Sequence, residues 1–207
     1  MKQTLRSTRR QSWTILARMK TARLLTILGA VLIASAAASA QTPSPTPISP
    51  AKQANRDATR EKLRALLNNL PSDLNMTFKP SSAQPYNFVG TLTTGVKNAQ
   101  AYEVVISVTA SDTIGFRVYP HYNNGYVNID KARNSVGLLR QLVNLTDHNF
   151  LFWGADDTSD VFAGYTITLE SGFPDAALRT VLYSVKPLDE FVGRMRPNID
   201  GTTASPR

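Results

Sequence analysis

Between Tyr102 and Tyr119 the sequence alternates with a period of two, and this stretch limits the fold more than any other. Tyr102, Val104, Ile106 and Val108 alternate with Glu103, Val105, Ser107 and Thr109. After the polar turn Ala110-Ser111-Asp112-Thr113, Ile114, Phe116 and Val118 alternate with Gly115, Arg117 and Tyr119. Successive side chains of a strand point to opposite faces, so the pattern describes an antiparallel hairpin with one buried face and one wetter face. A chain that contains it must supply apolar surface to cover the buried face.

The flanking segments offer that cover. A strand near 86–93 would extend the hairpin to a three-stranded meander, with a short extended piece around Met76-Thr77-Phe78 before it. Residues 149–154 and 161–170 read as a second hairpin whose loop is 155–160. Ser49 and Pro50 supply an N-cap and a first-turn proline for a helix to about residue 69, with Ala51, Ala54, Ala58, Leu63, Leu66, Leu67 and Leu70 on its apolar side. Asn128 or Asp130 can cap a second helix that packs Ala132, Val136, Leu139 and Val143 on the sheet. Leu178, Val181, Leu182, Val185, Leu188, Val192 and Met195 form a last helical stripe, and Pro187 predicts a kink or break near 184–186. The order α-β-β-β-α-β-β-α, with antiparallel hairpins and helices to one side, is an α+β architecture.

Residues 1–40 read as a signal peptide. Seven basic residues and no acid precede an apolar run from Leu24 to Ala38 and the triplet Ala38-Ser39-Ala40, after which cleavage is expected. The run is shorter than the ~20 residues that a membrane-spanning helix needs, so no stable insertion is expected once the leader is removed. Met19 is an alternative start, and Arg9-Arg10 lacks the context of a twin-arginine signal. The destination is outside the cytoplasm, periplasmic or extracellular. Residues 41–52 are a proline-rich spacer, 53–197 the folded domain and 198–207 a flexible tail.

Removing the leader changes the meaning of the charge. The formal +8 less the seven basic residues of the leader leaves +1 for the remainder, so the high pI does not indicate a nucleic-acid partner. Cysteine is absent, so the domain must be held by its core without disulfides.

None of the polar clusters is a catalytic constellation. His121 and His148 lack metal-ligand spacing, and Asp147-His148 has no nucleophile elbow to serve. Asp156, Asp157 and Asp160 lack the alternation, glycine and distal glutamate of a calcium loop and read as a hairpin turn. Asp189 and Glu190 are helix neighbours about 100° apart and do not form an acid and base pair. No cofactor or metal is expected. Phe150, Phe152 and Trp153 read as buried strand residues. Tyr119, His121, Tyr122 and Tyr126 gather around Asn124-Gly125 and are the candidate partner contacts, since tyrosine-rich loops make good contact surfaces. The simpler reading packs Tyr119 and Tyr126 under the central helix, with Asn124-Gly125 supplying positive φ.

The element order, with ARNSVGLLRQLVNLTDHNFLFWGAD around the central helix and FPDAALRTVLYSVKPLDEFVGRM at the last, resembles the YbjN-type family with the type III secretion chaperone-like fold over residues 53–197. The resemblance implies binding of another polypeptide, commonly by a homodimer with an exposed sheet or helix face, and carries no catalytic residue. The expected function is an exported, non-enzymatic protein-binding or chaperone-like module. A small-ligand sensor, marked by a closed apolar cavity between sheet and helices, and a hydrolase, marked by two converging carboxylates, are the alternatives.

Overall fold

The alternating stretch forms the two central strands of an antiparallel sheet, and everything else is arranged about them. The computed structural model describes residues 48–203; the leader, spacer residues 41–47 and the final residues 204–207 lie outside the described residues. The elements are α1 (Pro50–Asn68), a 3-10 turn (Ser72–Leu74), β1 (Thr77–Pro80), β2 (Asn87–Leu92), β3 (Ala101–Val108), β4 (Thr113–Tyr122), β5 (Gly125–Tyr126), α2 (Ser135–Asp147), β6 (Phe152–Ala155), β7 (Val161–Thr168), α3 (Asp175–Tyr183) and α4 (Leu188–Ile199). The class is α+β, as the sequence order implies. The seven-stranded sheet runs β1-β2-β3-β4-β7-β6, with β5 paired to the end of β4.

Register decides which side chains meet. Tyr102, Val104, Ile106 and Val108 stand opposite Pro120, Val118, Phe116 and Ile114, and Ile114, Phe116 and Val118 stand opposite Ile167, Tyr165 and Ala163. These rows share one core with Leu63 and Leu67 of α1, Leu138 and Leu142 of α2, and Leu178 and Val192 of the last two helices. Every helix thus contributes to the core on the same face of the sheet. At the β1 edge Phe78 lies opposite Gly90, and its ring stands 2.6 Å from where a Cβ on Gly90 would be. The glycine lets β1 fold its one buried side chain onto β2.

Several expectations are corrected. Ser49 accepts from the Lys52 amide at 3.4 Å, so helix begins at Pro50 inside the spacer expected over 41–52. Helix α2 is capped by Asn134, which accepts from the Gly137 amide at 2.9 Å, and not by Asn128 or Asp130. The face it buries is Leu138, Leu142 and Leu145; the expected packing residues Val136, Leu139 and Val143 are 59%, 46% and 72% exposed. The helix carries two apolar stripes, and the leucines take the core. The break expected near 184–186 is present: the final stripe is two helices, because the chain turns at 184–187 and Pro187, which has no N–H to lose, stands at the cap of α4. Asn198 and Ile199 complete α4, and the Tyr122 hydroxyl donates to Asp200 at 2.6 Å, so residues 198–200 are structured where a flexible tail over 198–207 was expected.

Helix α4 is fastened to the sheet by one buried carboxylate. Asp189 is 8% exposed and accepts from the backbone amides of Lys97 at 2.8 Å, Asn98 at 3.0 Å and Ala99 at 2.9 Å. The three amides belong to the loop between β2 and β3, so the carboxylate completes hydrogen bonds that this loop cannot make internally. Asp189→Ala leaves these donors without their acceptor and should lower unfolding stability by about 3 kcal/mol, measured by urea titration. A loss under about 1 kcal/mol would contradict this role.

Candidate functional site

Among the described residues no helix lies in front of the second face of the sheet. Its residues are the alternates of the core rows: Glu103, Val105 and Ser107 on β3, Gly115, Arg117 and Tyr119 on β4, and Phe162, Gly164 and Thr166 on β7. Small and polar side chains in the middle leave a shallow depression, and longer ones at one end raise a wall. The result is a hollow of about 770 Å³ that includes Val105, Arg117, Phe152 and Thr166 in its lining.

The wall is aromatic. Tyr119 lies 5.4 Å from Tyr126 and 5.7 Å from Phe162 between ring centroids, and Phe152 meets Phe162 edge-on at 5.9 Å. Phe152 stands opposite Gly164 across the β6–β7 pair, and its ring occupies the space a side chain there would take. Tyr119 and Phe162 are buried, yet they belong to this outer cluster and not to the main core.

Charge is fixed around the wall. The Tyr126 hydroxyl donates to Glu103 at 3.0 Å. Asp156 Oδ1 accepts from the amides of Thr158 and Asp160, each at 3.0 Å, and Asp160 accepts from Asn128 at 2.8 Å. These bonds make the β6–β7 loop the Asp-rich hairpin turn expected from its sequence. The Arg117 guanidinium lies 4.8 Å from the Phe162 ring centroid and donates to the Tyr119 hydroxyl at 3.4 Å. Burial first, and then the charge and hydrogen bonding of Glu103, push the Tyr126 hydroxyl up to about 12. Tyr119 is likewise raised, chiefly by burial. Burial opposes ionisation of Asp156, but hydrogen bonds from Thr158 and the Asp160 amide outweigh it and lower its pKa.

The four tyrosine-loop candidates separate. Tyr119 and Tyr126 stand together at the hollow, and His121 meets the Tyr126 ring edge-on at 4.5 Å. Neither tyrosine packs under the central helix. Tyr122 lies apart, against the main core, with its hydroxyl given to Asp200. The turn that joins β4 to β5 has positive φ at Asn123 and Asn124, 52° and 62°, so the asparagines and not Gly125 supply it. Phe152 is 43% exposed whereas Trp153 is buried, because only Trp153 of the two points to the helix-covered face; Phe150, which precedes β6 and meets Tyr165 edge-on at 5.5 Å, is 50% exposed. Among the described residues no three His, Cys, Asp or Glu side chains form a metal-binding group.

Glu103, Arg117, Phe152 and Phe162 were not singled out from sequence as contact residues. Their signal was present in the strand alternation, which put Glu103 and Arg117 on the wetter face; what it lacked was the side on which the helices lie. Neither free edge of the sheet is an inviting template. Edge strand β1 carries Lys79 and Pro80, and the Trp153 amide of edge strand β6 is taken by Thr146 of α2 at 2.9 Å.

No family model matches the chain, and no curated protein matches it. Among solved structures, a chain in the crystal structure of the ExsC–ExsE complex is 19% identical, with 66% of this chain and 94% of that chain covered and a TM-score of 0.38. Agreement of that size does not establish a common fold, and the YbjN-type likeness stays one of residue pattern.

The Tyr122–Asp200 contact has a pH signature. Burial alone would raise Asp200, but hydrogen bonds from Thr202 and Tyr122 bring it from 3.8 to about 2. A carboxyl depressed by folding contributes stability that is present above its unfolded pKa and lost as pH falls through the folded one. Urea midpoints should therefore fall between pH 4 and pH 2, and Tyr122→Phe, which removes one donor, should make that fall smaller. An unchanged slope would remove Tyr122 from this account.

Proposed function

We propose that the protein is an exported, non-enzymatic module that binds another polypeptide on the uncovered face of its sheet. The observation that carries this reading is the outer hollow: a broad, solvent-open concavity with an aromatic wall, on a rigid central sheet. Phe152 and Tyr126 present the accessible part of that wall, backed by buried Tyr119 and Phe162, and aromatic side chains with few rotatable bonds give large contact area at small entropic cost. Export is supported by the basic, apolar and small-residue succession of residues 1–40, and a periplasmic or extracellular destination follows from it. Among the described residues no helix is long and apolar enough to cross a membrane.

The exposed stripe of α2 supports self-association as a second element of the same reading. Val136, Leu139 and Val143 recur at i, i+3 and i+7, so they line one side of the helix, and Arg140 and Asp147 flank them, both exposed. Two copies of α2 packed antiparallel would cover the valines and leucine and bring each Arg140 toward the Asp147 of the other. The arrangement is that of a homodimer whose sheet faces stay free.

The other readings are less well supported. A sensor domain needs an enclosed cavity between sheet and helices, whereas the hollow lies on the outer face. A hydrolase needs one carboxyl held protonated beside one that is ionised; Asp156 is lowered, and both it and Asp160 are bonded into the turn.

The test is a crosslinking pull-down from the native cell with mass spectrometry, using wild type, Val105→Arg on the sheet face and Val143→Asp on α2. Wild type should yield one reproducible partner, a crosslinked self-dimer and a bait beginning at Gln41. Val105→Arg should lose the partner and keep the dimer, and Val143→Asp should shift the dimer to monomer. Partner capture indifferent to Val105→Arg would overturn the assignment of the face.

A further inference from the structure

We propose that the aromatic end of the outer face receives lysine or arginine side chains from an extended segment of the bound polypeptide. This specifies the chemistry of the partner and rests on the reading of that face as a binding surface.

The argument begins with charge that is fixed but not neutralised. Glu103, Asp156 and Asp160 all border the hollow. Their hydrogen-bond donors are a tyrosine hydroxyl, a carboxamide, a threonine and backbone amides, all neutral groups. None of the three belongs to the ion pairs Arg60–Glu61, Arg64–Glu61 and Arg179–Asp175. Neutral donors orient a carboxylate without supplying a counter-charge that would cancel its field. Three such groups on one rim, against one lining cation, leave the hollow negative.

The wall adds to this preference. The accessible rings of the wall, half-buried Tyr126 and exposed Phe152, carry negative quadrupole potential on their faces, and a guanidinium or ammonium placed over such a ring is attracted to it. The protein already uses this surface in that way, with Arg117 placed over Phe162. The raised pKa of Tyr126, to which Glu103 and Asp160 contribute after burial, reports the same negative field from inside the wall. An acidic segment would meet repulsion here. A neutral one would leave the carboxylates facing it without a counter-charge, so a cationic one is the complementary occupant.

The experiment is selection of a displayed library of random dodecapeptides on the full chain, with Glu103→Gln/Asp160→Asn as the comparison. The chosen peptides should carry Lys and Arg about threefold above the starting library. They should bind the double variant about tenfold more weakly and lose affinity as salt rises. Thermal unfolding verifies that the variant is folded; if it is not, Glu103→Gln alone and the salt series on wild type carry the test. Peptides enriched without cation preference, and equally tight on the variant, would overturn this inference while leaving the binding surface standing. Selected peptides that all bind the Val105→Arg variant as tightly as wild type would overturn the binding reading itself. Self-association lost in the double variant would assign the face to a second copy and also overturn the inference.

Discussion

The structure depends on the sorting of side chains across β3 and β4. With a period of two, every large aliphatic of these strands except Val105 falls on one face, and Tyr102, Val104, Ile106 and Ile114 are removed from water completely. Burial of such side chains stabilises the fold by about 1.5–3 kcal/mol each relative to exposure. The opposite face, with Glu103, Ser107, Gly115 and Arg117, offers no comparable return. The helices therefore gather on one side, and the hollow is what the other side becomes when nothing needs to cover it.

A one-sided sheet of this kind needs its cover held in place, and the fastening is polar. Asp189 at the start of α4 binds the loop that joins β2 to β3 through three backbone amides. Gly193, one turn further on, stands against the Asn98 side chain, where a Cβ would meet it at 2.8 Å. Between α2 and α4, Asn198 donates to Gln141 at 2.7 Å. These ties place the last helix over the core row.

The parts of the fold governed by local periodicity were legible in the sequence. The alternation of 102–119, the proline break after Tyr183 and the Ser49 cap are each set by a few neighbouring residues. Helix α2 was misread, since Val136, Leu139 and Val143 satisfy the helical period as well as Leu138, Leu142 and Leu145 do. Only the position of β6 and α4 decides which stripe is inside. The aromatic wall was legible in part: Tyr119 and Tyr126 belong to one conspicuous segment, but Phe152 and Phe162 join them through strand pairings some forty residues away. Tyr122 was misgrouped because the side chain following His121 crosses to the other side of the sheet.

The central claim is that the outer face of the sheet is occupied by another polypeptide. A photoreactive residue at Thr166, on that face, should give an adduct with a second protein when the full chain is irradiated in its native cell. The same residue at Lys62, exposed on α1, should give none. Adducts from Lys62 with none from Thr166 would contradict the claim.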